Sequence, residues 1–170
     1  MRTLSQSISA TLLGLLVMTG GPWAAHASAQ EAVFIVRHAE RLDDSTDSPL
    51  SPEGRARAIR LAGQLRDARI TAVFVTQYIR SADTARPLAD RLGLPLQPVP
   101  AAQTPDLVTK LRALGPGARV LVAGHSDTVP RILAALGVPD AVTIASDEYD
   151  NLFVVLPRAA GAPTVLRLRY

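Results

Sequence analysis

The sequence predicts a three-layer α/β/α domain with a mainly parallel sheet and an antiparallel strand or hairpin at its C-terminal end. Three observations predict it. Short apolar runs rich in β-branched residues recur along the chain, as strands buried on both faces require. The earlier runs alternate with segments of helical periodicity, the pattern of a sheet covered by helices on both sides. The last two runs have no helix between them and are joined by the short segment 157–163, which fits an antiparallel hairpin.

The first run is Ala32-Val33-Phe34-Ile35-Val36. The polar stretch from Arg41 to Pro49 reads as a surface loop behind it. Ser51-Pro52-Glu53 then opens a helix, with Ser as N-cap, Pro in the first turn and an early acid. Its apolar positions include Ile59, Ala62 and Leu65. Ile70 to Thr76 is the second strand. Ser81 to Leu92 reads as a helix stopped by Gly93, with Pro87 expected to kink or shift it. Thr104-Pro105-Asp106 starts a further helix that keeps Leu107, Val108, Leu111 and Leu114 on one side. Arg119 to Ala123 is the third clear strand. A helix follows from about Thr128 to Leu136 and ends at Gly137. Asn151 to Leu156 and Thr164 to Arg169 are the two closing strands.

Residues 1–29 are of another kind. Arg2 is their one formal charge, and an apolar stretch from Ile8 to Met18 gives way to Gly20-Gly21-Pro22 and small residues. Ala27-Ser28-Ala29 fits the cleavage pattern of a secretory signal, with Ala25-His26-Ala27 as a second site. The apolar run is short of the ~20 residues a membrane span needs, which favours cleavage over an uncleaved anchor. The expectation is therefore a signal peptide over 1–29 and one exported domain over 30–170, periplasmic or secreted, not held in a membrane once mature.

The formal net charge is only +3, and Arg55, Arg57, Arg60, Arg66 and Arg69 are scattered without interleaved aromatics. They read as solvated helix faces, so no nucleic-acid partner is expected. The absence of Cys excludes disulfides and thiolate metal sites. Nothing in the sequence indicates an oligomeric state.

Of three histidines, His26 lies in the leader, while His38 and His125 directly follow predicted parallel strands. Ligands of open α/β sheets bind outside the carboxyl ends of the strands. The first histidine stands in Val36-Arg37-His38-Ala39-Glu40 and the second in Ala123-Gly124-His125-Ser126-Asp127; Arg80 follows the second strand. Arginine grips phosphate oxygens with a planar fork of donors. A neutral imidazole is a competent nucleophile, and a second, protonated one can stabilise charge on a phosphoryl group. Phosphoryl transfer needs mainly positioning and electrostatics, so the set requires neither metal nor cofactor. A zinc site is a weaker rival, with only two histidines available and Arg beside them opposing a cation.

Arg37-His38-Ala39-Glu40 resembles the signature of the histidine phosphatase superfamily, also called phosphoglycerate mutase-like proteins, with Ala where Gly is commonest. Leu50-Ser51-Pro52-Glu53-Gly54-Arg55-Ala56, Tyr78-Ile79-Arg80-Ser81-Ala82-Asp83-Thr84-Ala85 and Gly124-His125-Ser126 resemble the segments that follow it, in the family's order. The resemblance implies a phosphoglycerate mutase-like fold and a phosphatase acting on a small phosphorylated substrate. It implies that His38 becomes phosphohistidine, that Arg37 and Arg80 hold the phosphoryl oxygens, and that His125 completes the pocket. Arg41 and Ser126 are candidates for substrate contacts at the rim. Many members supply a general-acid Glu between the second Arg and the second His; here that interval holds only Asp83, Asp90 and Asp106. Asp127 is a candidate substitute acid, and equally a residue that opens the helix beginning at Thr128. A member without the acid is expected to handle phosphoramidates such as phosphohistidine, or activated esters. A protein that grips phosphorylated ligands without turnover is the alternative from another class.

Overall fold

A computed structural model describes residues 31–115, 117–158 and 160–170. The expected signal segment, 1–29, lies outside them. The chain runs β1 (Ala32–Arg37), α1 (Pro52–Gln64), β2 (Ala72–Val75), α2 (Ile79–Leu92), β3 (Leu96–Pro98), α3 (Thr104–Ala113), β4 (Arg119–Gly124), α4 (Thr128–Ala135), β5 (Asn151–Leu156) and β6 (Thr164–Arg169). The strands form one sheet in the order β3-β2-β4-β1-β5-β6. β3, β2, β4 and β1 are parallel neighbours, β5 runs antiparallel to β1, and β6 antiparallel to β5. This is the predicted architecture, hairpin included.

The apolar strands are explained by two cores, one on each face of the sheet. On one face Val33, Ile35, Phe74, Val120 and Val122 pack with Leu107 and Leu111 of α3 and Ile132 and Leu133 of α4. On the other, Val36, Val73, Val75 and Leu121 pack with Leu61 of α1, Leu65 at its C-cap and Leu88 of α2. Alternate residues of a strand point to opposite faces, so a strand sandwiched between helices must be apolar throughout. Each large aliphatic side chain withdrawn from water in this way contributes about 1.5–3 kcal/mol.

Three local outcomes differ from expectation. β3 was not foreseen: it is three residues long and ends in Pro98, a residue that sheets tolerate at an edge, where this strand lies. β2 spans Ala72–Val75, shorter than the apolar run that contains it. α2 begins at Ile79 and continues through Pro87 to Leu92, with Gly93 in the left-handed conformation ending it. A proline inside a helix costs ~3 kcal/mol; burial of Thr84, Ala85, Leu88 and Ala89 on the inner side of the same turns offsets it. The 41–49 loop is as expected, closed by a bridge between Arg41 and Leu50.

The start of α1 is fixed with unusual tightness. The Ser51 hydroxyl accepts the Gly54 N–H at 3.1 Å, while the Ser51 N–H donates to the Glu40 carbonyl at 2.9 Å. A Cβ on Gly54 would stand 2.3 Å from that same carbonyl oxygen. Glycine is required here by close approach, since backbone cannot swing aside as a side chain can. On an open helix Gly→Ala stabilises by up to ~1 kcal/mol. Here Gly54→Ala should instead destabilise the domain by roughly 1–3 kcal/mol, the scale of overpacking. Urea unfolding checks the sign, and a variant as stable as the parent would remove the close approach as the reason for this glycine.

Candidate active site

Three strand ends meet at one edge of the sheet. β1 ends in Arg37 and is followed by His38, β4 ends in Gly124 and is followed by His125, and Thr76 follows β2. The registers Arg37↔Gly124 and Val75↔Ala123 bring these next residues side by side. The His38 N–H donates to the Gly124 carbonyl at 2.8 Å, extending the ladder one residue past β1. Arg80 lies in the first turn of α2. The two imidazole centroids are 5.0 Å apart. They face a cleft of about 450 Å³ that Arg37, Arg80, Arg41, Ser126 and Asp127 also line, so every residue singled out from the sequence reaches one place. Tyr78 and Ser146 line it as well.

Buried hydroxyls set these positions. Ser81 donates to the Ala123 carbonyl at 2.5 Å and accepts the Thr76 N–H at 3.0 Å, tying α2 to the ends of β2 and β4. Thr84 accepts the Ala39 N–H at 2.9 Å and donates to the Arg80 carbonyl at 2.7 Å. Thr128 accepts the His125 N–H at 2.7 Å. Gly124 keeps room for that contact, since a Cβ there would stand 2.7 Å from the Thr128 hydroxyl.

His38 Nδ1 lies 2.7 Å from the Ala39 carbonyl oxygen. A carbonyl only accepts, so Nδ1 carries the proton and Nε2 keeps its lone pair. Burial is the largest influence on His38 and pulls it down to about 3, aided by His125, Arg37 and Arg80 and opposed by the Ala39 carbonyl. Burial likewise pulls His125 down to about 4, with Arg80 and Arg37 adding to it and Asp127 opposing. Both rings are therefore neutral at pH 7 in the ligand-free site. The protonated second imidazole expected from sequence would have to form when an anion arrives. His125 Nε2 is 2.9 Å from the Thr76 hydroxyl.

The arginines are held without carboxylates. Arg37 Nη1 donates to the carbonyls of Ala145, Ser146 and Glu148 at 2.9, 2.9 and 3.1 Å, and its guanidinium lies 3.9 Å from the centre of the Tyr149 ring. Arg80 Nη1 donates to the Thr46 carbonyl at 2.9 Å, with the Tyr78 ring 4.3 Å away. Nε of each is buried and has no protein partner. Burial draws both guanidiniums below their ordinary range, yet arginine stays charged in proteins.

The remaining candidates lie at the rim. Arg41 pairs with Asp44 at 2.8 Å. Asp127 occupies the N-cap position of α4 without its side chain capping the helix; Thr128 takes the nearby N–H instead. The Asp127 carboxylate is mostly exposed and pairs with Arg131 at 2.5 Å. Glu40, within the first motif, is turned away to a bidentate pair with Arg57, whose Nη2 donates to Oε1 at 2.5 Å and Nε to Oε2 at 3.0 Å. Among the described residues no group of three His, Asp or Glu is placed to hold a metal ion.

A family model for the histidine phosphatase superfamily (branch 1) matches residues 33–107, which contain the first three of the four motifs. Over that segment the chain is similar to the histidine phosphatase superfamily. No curated protein matches it in sequence. Solved structures of the fold do. A mycobacterial glucosyl-3-phosphoglycerate phosphatase superposes with a TM-score of 0.64 at 14% identity, over 82% of this chain and 98% of that one. The protein histidine phosphatase SixA, solved with tungstate, gives a TM-score of 0.61 at 24% identity, over 81% and 96% of the two chains. These likenesses show the fold, and the substrates in those names belong to those proteins.

Thr76, Ser81, Thr84, Glu148 and Tyr149 were not singled out from sequence as parts of the site. Hydroxyls at a strand end or on a helix carry no pattern of their own. Residues 145–149 lie in an irregular stretch without a motif.

Both histidines have folded-state values below the ordinary ~6.5, so the unfolded chain binds protons that the folded site refuses. Stability is then fully present above pH 6.5 and falls as the pH drops toward about 4 and 3. His38→Asn and His125→Asn should each flatten the acid side of a plot of Tm against pH relative to the parent. An unchanged slope in both would refute burial as the cause.

Proposed function

We propose that this chain is a metal-independent phosphatase that works through a phosphohistidine on His38. The observation that carries this reading is the geometry of His38: Nδ1 is committed to the Ala39 carbonyl, and Nε2 is left as a lone pair in a cleft with two arginines. In the reaction Nε2 attacks phosphorus, the bond to the leaving atom breaks, and the leaving atom takes the electron pair. Arg37 and Arg80 line the cleft and bind the phosphoryl oxygens through guanidinium donors that the backbone carbonyls on Nη1 leave over. Arrival of a phosphate dianion favours protonation of His125, which then stabilises the transition state. Water attacks the phosphohistidine in a second step, releasing inorganic phosphate and restoring His38.

The leaving group is where the superfamily's members diverge, and one observation favours a second reading. Asp127 is the one carboxylate that lines the cleft among the described residues, and it is engaged by Arg131. An alkoxide needs a proton as it leaves, whereas a phosphoramidate nitrogen or an aryl oxide leaves more readily. The site therefore supports attack on phosphohistidine-like phosphoramidates or activated esters at least as well as on ordinary phosphate esters. The leader pattern in residues 1–29 supports an exported location.

His38→Ala should abolish turnover of an aryl phosphate while leaving the circular dichroism of the fold unchanged. Quenching a labelled reaction in alkali, where phosphohistidine survives, should recover the label on His38. Label on Ser, Thr or Asp would overturn the assignment. Intact phosphate binding with zero turnover in the parent would make the protein a binder.

If Asp127 nonetheless donates the proton, Asp127→Asn should slow alkyl phosphates by ~10²–10⁴-fold and aryl phosphates far less. If it serves only the surface pair with Arg131, both substrates should change alike and little. Initial rates on one substrate of each kind decide between the two roles.

A further inference from the structure

We infer that Glu148, which does not line the cleft, is a positioning residue that sets the grip of Arg37 on the phosphoryl group. The inference rests on the phosphatase reading of the site and adds to it a part outside the motifs. Arg37 spends Nη1 on three carbonyls from a single turn, those of Ala145, Ser146 and Glu148. Three backbone oxygens converge on one nitrogen only if the turn is closed in one shape. The Glu148 N–H closes it on the Ala145 carbonyl at 3.1 Å, and the Glu148 side chain adds a second tie that fixes the shape. Its Oε2 accepts the Ala145 N–H at 3.0 Å, so the first and last members of the carbonyl set are tied by one residue. From outside, Arg169 of β6 donates to Oε1 at 2.9 Å, and Arg167 lies 3.3 Å from it. Glu148 thus contributes a carboxylate to the turn and a carbonyl to Arg37.

The alternative is that Glu148 only joins a surface ion network with the β6 arginines. Exposed pairs of that kind contribute little, and their loss would not be felt at a cleft they do not line. The two roles separate chemically. Glutamine keeps an oxygen for the Ala145 N–H but loses the charge for the arginines, whereas alanine loses both.

The test uses the full chain, with orthovanadate affinity by calorimetry and steady-state kinetics on an aryl phosphate. Glu148→Ala should weaken vanadate binding and raise KM by about tenfold to a hundredfold, the scale of one hydrogen bond to a charged group. Glu148→Gln should stay within about threefold of the parent, and so should Arg169→Gln, as exposed pairs predict. In an Arg37→Ala background Glu148→Ala should add no further loss, because its effect passes through Arg37. Three results would each overturn the proposal: parental vanadate affinity in Glu148→Ala, equal damage from Gln and Ala, or an undiminished effect without Arg37. A parent that neither binds vanadate nor turns over would sink the phosphatase reading instead. The clamp is then decided by the ¹⁵Nε–¹H signal of Arg37, which Glu148→Ala should broaden or bleach by solvent exchange and which must not change if Glu148 is uninvolved.

Discussion

Two guanidinium groups, that of Arg37 buried at the end of β1 and that of Arg80 half-buried in the first turn of α2, are held with no carboxylate paired with either among the described residues. Arg37 is held by backbone carbonyls and an aromatic face, and so is Arg80. Carbonyl dipoles and ring faces satisfy donors without cancelling charge. The positive potential is therefore left for whatever enters the cleft. It also reaches the imidazoles: with burial it holds His38 near 3 and His125 near 4. A carboxylate in either cradle would have stabilised its arginine and weakened both effects. The neutrality of His38 at pH 7 is thus set first by burial, and the uncompensated arginines add to it.

That arrangement makes demands on the scaffold. A buried cation with partly satisfied donors is costly unless its neighbours cannot relax. The strand ends are accordingly locked to one another by hydroxyls of almost no exposure, Ser81, Thr84 and Thr128. Each sits between two elements and takes a backbone group that the sheet ladder leaves over. Gly54 and Gly124 serve the same end by removing a methyl where backbone or hydroxyl must come close. Local sequence, packing and site geometry agree at these positions, which is what a single well-defined arrangement requires.

The fold and the centre of the site were legible in the sequence for related reasons. Continuous apolar runs such as Val33 to Val36 can be strands only where both faces are covered, and that already selects a parallel sheet with helices on each side. Histidines directly after two such runs then fall at the edge where ligands bind. β3 escaped notice because three residues ending in Pro98 carry no period. The start of α2 was placed two residues late because Tyr78, its N-cap, makes no side-chain cap. The cradle of Arg37 was illegible for a deeper reason. Its acceptors are carbonyl oxygens, which every residue possesses, so nothing in the identities of Ala145 or Ser146 announces them.

The same asymmetry bears on where chemistry can vary in this fold. His38, His125 and the arginines are fixed by strand ends and buried hydroxyls, whereas the rim is made of loops and exposed pairs: Arg41 with Asp44, and Asp127 with Arg131. On the proposed reading, phosphorus would be bound by the rigid part and the leaving group by the adaptable part. Binding the phosphoryl group well costs nothing in selectivity, because every phosphorylated compound presents it. Discrimination has to come from the leaving side, through contacts and through whether a proton is at hand as the bond breaks. In this chain the rim carboxylate that could supply one is already engaged by the Arg131 guanidinium. On the proposed reading, the balance at the rim tilts toward leaving groups that need no help, without any change at the phosphoryl end.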